Sequence, residues 1–301
     1  MSDWPKIPDD AIDWFSGVLA DANTQVSELI TNNPNIRETT LDDALINSLH
    51  PRTAPVELPS GTIVHIQVHN IGGLRRWGSW ETADIACLVR VYDKGKRVAQ
   101  KIGLLQSKRL FPANNDVIDE DGTGFLYGMN PWFEPEPTVS FGALHRHFEF
   151  DSDCTYSSLH AGSDQVKAIE TINARLEGAV SYLFYNPDQL PLKVQYPLRS
   201  FKSVDYPEVG CRVYSADDVH HVLSGYQKGK APTFGAIENS GVGDFSRLED
   251  WGARLLRCHV GKQLETDDDA TIHELIVRRS GPIAAAIYVS ISLNPTESRP
   301  E

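Results

Sequence analysis

The sequence predicts an α/β fold, a mixed central sheet flanked by helices. Two observations carry the fold class. Apolar residues recur at helical spacing within the first fifty positions, and from Thr62 the period changes to two. The order helix, strand, hairpin, helix, strand then favours a sheet with helices on its faces over an all-β sandwich. At 301 residues the chain is long enough to bury a sizeable core.

Ile12, Phe15, Leu19, Val26, Leu29 and Ile30 give residues 9–30 helical spacing, with an expected interruption near Asp21–Thr24. Asn32-Asn33-Pro34-Asn35 breaks the chain, and a second helix follows with Leu41, Ala44, Leu45, Ser48 and Leu49 on one stripe. Pro51, Pro55 and Pro59 enforce an extended passage. Val64, Ile66 and Val68 then alternate with His65, Gln67 and His69, which suggests a strand with one apolar face. Asn70–Ser79 reads as a Gly-rich, Arg-bearing loop. Asp84–Tyr92 and Val98–Lys108 form a hairpin turning at Lys94-Gly95. Residues 111–153, rich in Pro, Gly and aromatics, read as an insertion with short strands such as Val139–Phe141. Beyond it come a helix at Ser163–Leu176, strands at Ala179–Tyr185 and Val209–Tyr214, and helices at Ala216–Leu223 and Phe245–Cys258. Strands close the chain at Thr271–Arg278 and Ile283–Leu293. The expected organisation is a helical extension over 1–34, a core over 35–225, and a C-terminal α/β extension over 226–301.

Composition narrows the function classes. Hydrophobic residues make up 41% and charged residues 23%, ordinary globular values, and no apolar run reaches bilayer length. The first residues show no secretory signal, and Cys87, Cys154, Cys211 and Cys258 space neither as a zinc site nor as a disulfide scaffold. A cytoplasmic protein with reduced thiols, away from membranes, is expected. The net charge of −13 opposes nucleic-acid binding unless positive charge is concentrated locally or supplied by a partner. Local concentration exists in the sequence, at Arg75-Arg76, at Lys94, Lys96, Arg97 and Lys101, and at Lys108-Arg109. The plainer reading is that these residues decorate a hairpin.

The chemically informative stretches are Trp80-Glu81-Thr82-Ala83-Asp84-Ile85 and Leu104-Leu105-Gln106-Ser107-Lys108-Arg109. A hairpin turning near residue 95 returns Gln106 beside Asp84, and strand alternation puts Gln106 and Lys108 on one face with Ser107 on the other. A carboxylate, an amide oxygen and an ammonium would converge at one end of the sheet. Carboxylate and carbonyl oxygens are hard ligands suited to Mg²⁺, and a lysine beside them suits phosphodiester hydrolysis. One Asp alone would bind the ion weakly, so Glu38 and Glu81 are candidate second acids. Glu38 precedes Leu41, Leu45 and Leu49 on the stripe of its helix and could face the sheet.

Glu on a first helix, then Asp, then Gln-x-Lys resembles the PD-(D/E)XK, or restriction-endonuclease-like, nuclease superfamily. The nearest likeness is to the branch in which Gln-x-Lys replaces the acidic motif, as in type IV restriction enzymes and related bacterial defence nucleases. Leu105-Gln106-Ser107-Lys108-Arg109 is similar to that family's strand ending in Gln-Ala-Lys-Arg, and Gln165 and Tyr182–Asn186 fit its extended core. The resemblance, over about residues 36–225, implies a Mg²⁺- or Mn²⁺-dependent endonuclease acting on DNA, an effector in antiphage defence controlled by a protein partner or by homo-oligomerisation. It implies catalytic roles for Asp84, Gln106, Lys108 and Glu38, and a metal held by Asp84, Gln106 and Glu38 or Glu81. Arg75, Arg76 and Arg109 are the expected substrate contacts.

Each residue also has a plainer reading. Asp at a strand start makes local turns, polar period-two positions usually face solvent, and a Glu in a first helical turn is favoured by the helix dipole. His65 and His69 are about 13 Å apart on one strand face, too far to share a metal. Trp77 and Trp80 could stack on bases, although packed aromatics are commoner. The rival function is a non-catalytic binding or assembly protein that keeps the fold and uses the 111–150 insertion as its contact surface.

Overall fold

A computed structural model describes residues 4–34, 36–71, 83–114, 147–195, 198–200, 205–206, 208–240, 246–277 and 283–295. The first helix, α1 (Asp9–Asn32), opens with two acids in its first turn, where they meet the helix dipole favourably, and buries Ile12, Phe15, Leu19, Val26 and Ile30. It runs unbroken through the expected interruption. The polar residue responsible, Asn23, is itself buried: it donates to Glu249 Oε2 at 2.8 Å and accepts from the Cys211 amide at 2.7 Å, so the polar group has partners inside the fold. Helix α2 (Glu38–Leu49) buries Leu41, Leu45, Ile46 and Leu49.

The strands are β1 (Val56–Glu57), β2 (Ile63–Asn70), β3 (Ala83–Asp93), β4 (Lys96–Arg109), β5 (Ala113–Asn114), β6 (His147–Phe150), β7 (Val180–Tyr185), β8 (Leu192–Gln195), β9 (Leu198–Ser200), β10 (Arg212–Ser215), β11 (Ser246–Arg247), β12 (Lys262–Leu264) and β13 (Ile283–Ser292). Among the described residues, nine of them form one mixed sheet in the order β1-β2-β13-β3-β4-β7-β10-β11, with β12 added beside β4. The pairs β13–β3 and β4–β7 are parallel and the others antiparallel. A smaller sheet runs β5-β6-β8-β9. Helices α3 (Asp164–Arg175), α4 (Ala216–Ser224), α5 (Phe234–Glu238), α6 (Leu248–Leu256) and α7 (Asp269–Ile272) complete the α/β architecture that the sequence predicts. The β3–β4 turn is built as expected, with Lys94 at φ 48° and Gly95 at φ 75°, the left-handed pair that a tight hairpin requires.

Two segments differ from expectation. Thr271–Arg278, expected as a strand, is helical over the described residues: α7 passes into a π-helical turn, His273–Val277. Asp268 caps the start by accepting from the Thr271 amide and hydroxyl at 3.0 and 2.8 Å. The buried residues Ile272 and Leu275 are three apart, a helical spacing that the β-branched composition disguised. The second difference concerns the expected C-terminal extension. Its last strand, β13, lies in the middle of the main sheet between β2 and β3. Ile283, Ala285, Ala286, Ile287, Val289 and Ile291 are all buried, including neighbours that face opposite sides, as a strand covered on both faces must be. Val139–Phe141 lies outside the described residues.

Candidate active site

Helix α2 and the paired strands β3 and β4 meet at one end of the main sheet. The β3–β4 ladder pairs Ala86 with Leu104 and Ile85 with Leu105, so the next positions outward are Asp84 and Gln106. Directly opposed residues share a face, and Lys108 follows Gln106 on that face two positions on. The Gln106 Nε2 atom donates to Asp84 Oδ2. The same oxygen accepts from the Ser107 amide at 2.7 Å and the Ser107 hydroxyl at 2.8 Å. Ser107 was expected to face away; at the open end of the ladder, Asp84 reaches back over β4 and meets it nonetheless.

Glu38 closes the other side. Its Oε1 receives Lys108 Nζ at 3.4 Å, and its Oε2 accepts from the Arg109 amide at 3.0 Å and from Ser158 Oγ at 2.8 Å. Asp84, Gln106, Lys108 and Glu38, the expected catalytic residues, are therefore linked through two adjoining clusters. Lys108 is 2% exposed and Gln106 1% exposed. Glu81, Arg75 and Arg76 lie outside the described residues, as do Trp77 and Trp80.

Asp42, Ser107 and Tyr185 also belong to the site, although their roles were not anticipated. Asp42 stands one helical turn after Glu38 on α2, so both acids point from the same face. Tyr185, buried at the end of β7, donates its phenol to Asp42 Oδ1 at 2.7 Å. The Asp42 carboxyl is held well above the usual carboxylate range by burial and next by repulsion from Asp84; hydrogen bonds from Tyr185 and Ser107 oppose the shift. Burial likewise lifts Asp84 to about 6, against the pull of Lys108 and the Ser107 hydrogen bonds. The signal for Asp42 was present in the sequence, since 38, 42 and 45 fall on the stripe that carries Leu41 and Leu49.

Arg109 corrects an expectation. It was expected to hold substrate, yet it is 3% exposed, and its guanidinium donates to the backbone oxygens of Ile36, of Pro34 at 2.6 Å and of Leu110 at 3.3 Å. It lies over the Phe111 ring, 4.2 Å from its centroid. It fastens the turn before α2 to β4. Among the described residues the rest of the basic run is dispersed: Lys101 and Lys108 are buried, and Arg97 pairs with Asp269 at 2.9 Å. Lys94 and Lys96 are exposed at the hairpin tip, about 30 Å along β4 from Gln106. For those two the plainer reading of a decorated hairpin holds.

The donor set is compatible with a hard divalent cation. Gln106 Oε1 is buried and among the described residues has no hydrogen-bond partner, a costly state that a cation would relieve. The amide nitrogen, rather than this oxygen, faces Asp84, since oxygen against a carboxylate would repel. Every hydrogen bond that Asp84 receives from a described residue falls on Oδ2. Glu38 fits less well as a ligand because both of its oxygens are engaged. Among the described residues no group of three or more His, Cys, Asp or Glu side chains is disposed to hold a metal ion. Mg²⁺ bound through one or two carboxylates, an amide oxygen and water needs no such group. No protein family, curated protein or solved structure matches the chain. Among the described residues no helix is long and apolar enough to cross a membrane.

Proposed function

We propose that this chain is a metal-dependent nuclease that hydrolyses phosphodiester bonds of DNA, working at the Asp84–Gln106–Lys108 site. The observation that carries the reading is the buried Gln106 Oε1, without a hydrogen-bond partner among the described residues, beside a carboxylate raised by burial, with an ammonium two residues on. Asp84 and Gln106 would hold Mg²⁺ or Mn²⁺, with Asp42 as a second acid and Glu38 the partner that positions Lys108. When bound, the ion supplies Lewis-acid neutralisation of phosphate charge and an acidified water. The Lys108 ammonium donates to the attacking water or to a phosphate oxygen, where charge grows in the transition state. Tyr185 and Ser107 keep the two aspartates in place. Because Lys108 and Gln106 are covered, a phosphodiester reaches them only when the site opens. That requirement supports control by a protein partner or by assembly, as in an antiphage effector acting in the cytoplasm.

The test is cleavage of supercoiled plasmid by the full chain with Mg²⁺, with Mn²⁺ and with EDTA. Nicking that requires the ion and disappears in Lys108→Met supports the reading; ion-independent nicking, or nicking unaffected by that substitution, refutes it. A second reading draws on the same burial: a binding or assembly protein that retains this polar cluster as structure. It requires a folded protein that neither cleaves nor binds the ion.

A further inference from the structure

Away from this site, Lys101 lies inside the fold on β4, 1% exposed, and its Nζ stands 3.1 Å from Cys258 Sγ. The Trp4 ring covers the amine at 5.6 Å. Among the described residues the sulfur is the one hydrogen-bond acceptor in reach of Nζ. Backbone geometry fixes this encounter. The turn after α6 places Cys258 at φ 65° and Gly261 at φ 80°, and β12 then pairs Gln263 with Lys101 itself. A side chain on Gly261 would meet Lys101 Cε at 3.1 Å, so the turn is closed tightly over the lysine. Cys87, Cys154 and Cys211 are buried away from solvent. Cys258 is the one of the four that is only half-buried, and exposure is what makes a thiol open to oxidants.

We propose that Cys258 and Lys101 form an oxidation-triggered cross-link, a sulfur–nitrogen bond made under hydrogen peroxide that ties β4 to the turn after α6. In the first step Sγ attacks one peroxide oxygen. The S–O bond forms, the O–O bond breaks, sulfur is oxidised by two electrons, and the second oxygen leaves as water carrying the thiol proton. In the second step the lone pair of the Lys101 amine attacks the sulfenic sulfur. The S–N bond forms, the S–O bond breaks, and water leaves with a proton from the amine. The net change is the loss of two hydrogens from the protein and the reduction of one peroxide to two waters. The second step needs a neutral amine, and burial of Lys101 lowers its affinity for a proton accordingly. Sulfenic acids condense with backbone nitrogen in the same way, and here a side-chain nitrogen is already in contact.

The full chain treated with a small excess of hydrogen peroxide, quenched with catalase and read by intact mass and tryptic mapping, tests the proposal. The expected product is lighter by two hydrogens, resists trypsin at Lys101, yields a peptide joining Lys101 to Cys258, and reverts with dithiothreitol. Lys101→Arg keeps the cation but offers a poor nucleophile, so Cys258 should gain oxygen without linking. Cys258→Ser should gain neither, and melting curves establish that both variants fold. Oxygen added to Cys258 in the parent chain while trypsin still cuts after Lys101 would overturn the proposal. So would a disulfide carrying the same mass change, or modification of the buried cysteines at the rate of Cys258.

Discussion

Asp84 accepts three hydrogen bonds on one oxygen and is still lifted to about 6, because burial outweighs the donors and Lys108. The sign of its effect on stability follows. A carboxyl raised above its unfolded value binds its proton more tightly in the folded chain, so its stabilising contribution is complete below about pH 4 and is lost as pH rises through about 6. Without metal, Asp84→Asn should therefore melt several degrees above the parent at pH 7.5, with the gap closing towards pH 4; calorimetry in EDTA across that range checks it. The same proton competes with a cation. Mn²⁺ affinity measured by isothermal titration should fall about tenfold between pH 7.5 and pH 5, because only the ionised carboxylate binds. A flat profile would remove Asp84 from the ligand set. Gln106→Glu separates two effects: it sets a carboxylate against Asp84, so the metal-free protein should lose stability while Mn²⁺ binds more tightly. At this scale the sequence was informative where chemistry is local. Asp84, Gln106 and Lys108 were legible through alternation about a turn. Arg109 was not, because a basic residue in a basic run looks exposed until the chain that it fastens is seen.

Helix α2 owes its place over the site to Arg109, whose guanidinium serves the backbone oxygens of Pro34 and Ile36 just before the helix starts. Arg109→Ala should strand those acceptors in the interior and cost about 2–4 kcal/mol. Denaturant melts would show the loss, and Glu38 would no longer be held against Lys108. Had Arg109 been a substrate contact, the variant would melt like the parent and bind DNA with a shallower salt dependence instead. Helix packing carries a second constraint. A Cβ at Gly252 on α6 would lie 2.3 Å from Leu19 Cδ1 on α1, so Gly252→Ala should destabilise by about 1–3 kcal/mol through overpacking. Elements with a strong local period, such as α2 and the β3–β4 hairpin, were legible to within a residue or two. Thr271–Arg278 was not: its β-branched residues suggested a strand, while a capping Asp268 and the Ile272–Leu275 spacing make it helical.

Across the whole molecule, the chain's last described strand is the one that joins the two halves of the main sheet. β13 pairs antiparallel with β2 and parallel with β3, and no local pattern encodes a partner some 200 residues away. Deleting residues from 283 onward should leave the sheet split and the product insoluble or molten, as circular dichroism and solubility would report; a folded, cooperative truncation would contradict this placement. The net charge of −13 gives the molecule little long-range attraction for DNA, so cleavage should depend only shallowly on salt by itself and should improve, with a steeper salt dependence, when a partner contributes positive surface. All of this converges on whether the Asp84 site does chemistry. The most direct measurement is the single-turnover rate of cleavage of a labelled DNA duplex in Mg²⁺, parent chain against Asp84→Ala, both confirmed as folded. A catalytic Asp84 site should give cleavage by the parent, abolished by EDTA, and a rate at least about a hundredfold lower in Asp84→Ala. Equal rates in the two proteins would contradict it.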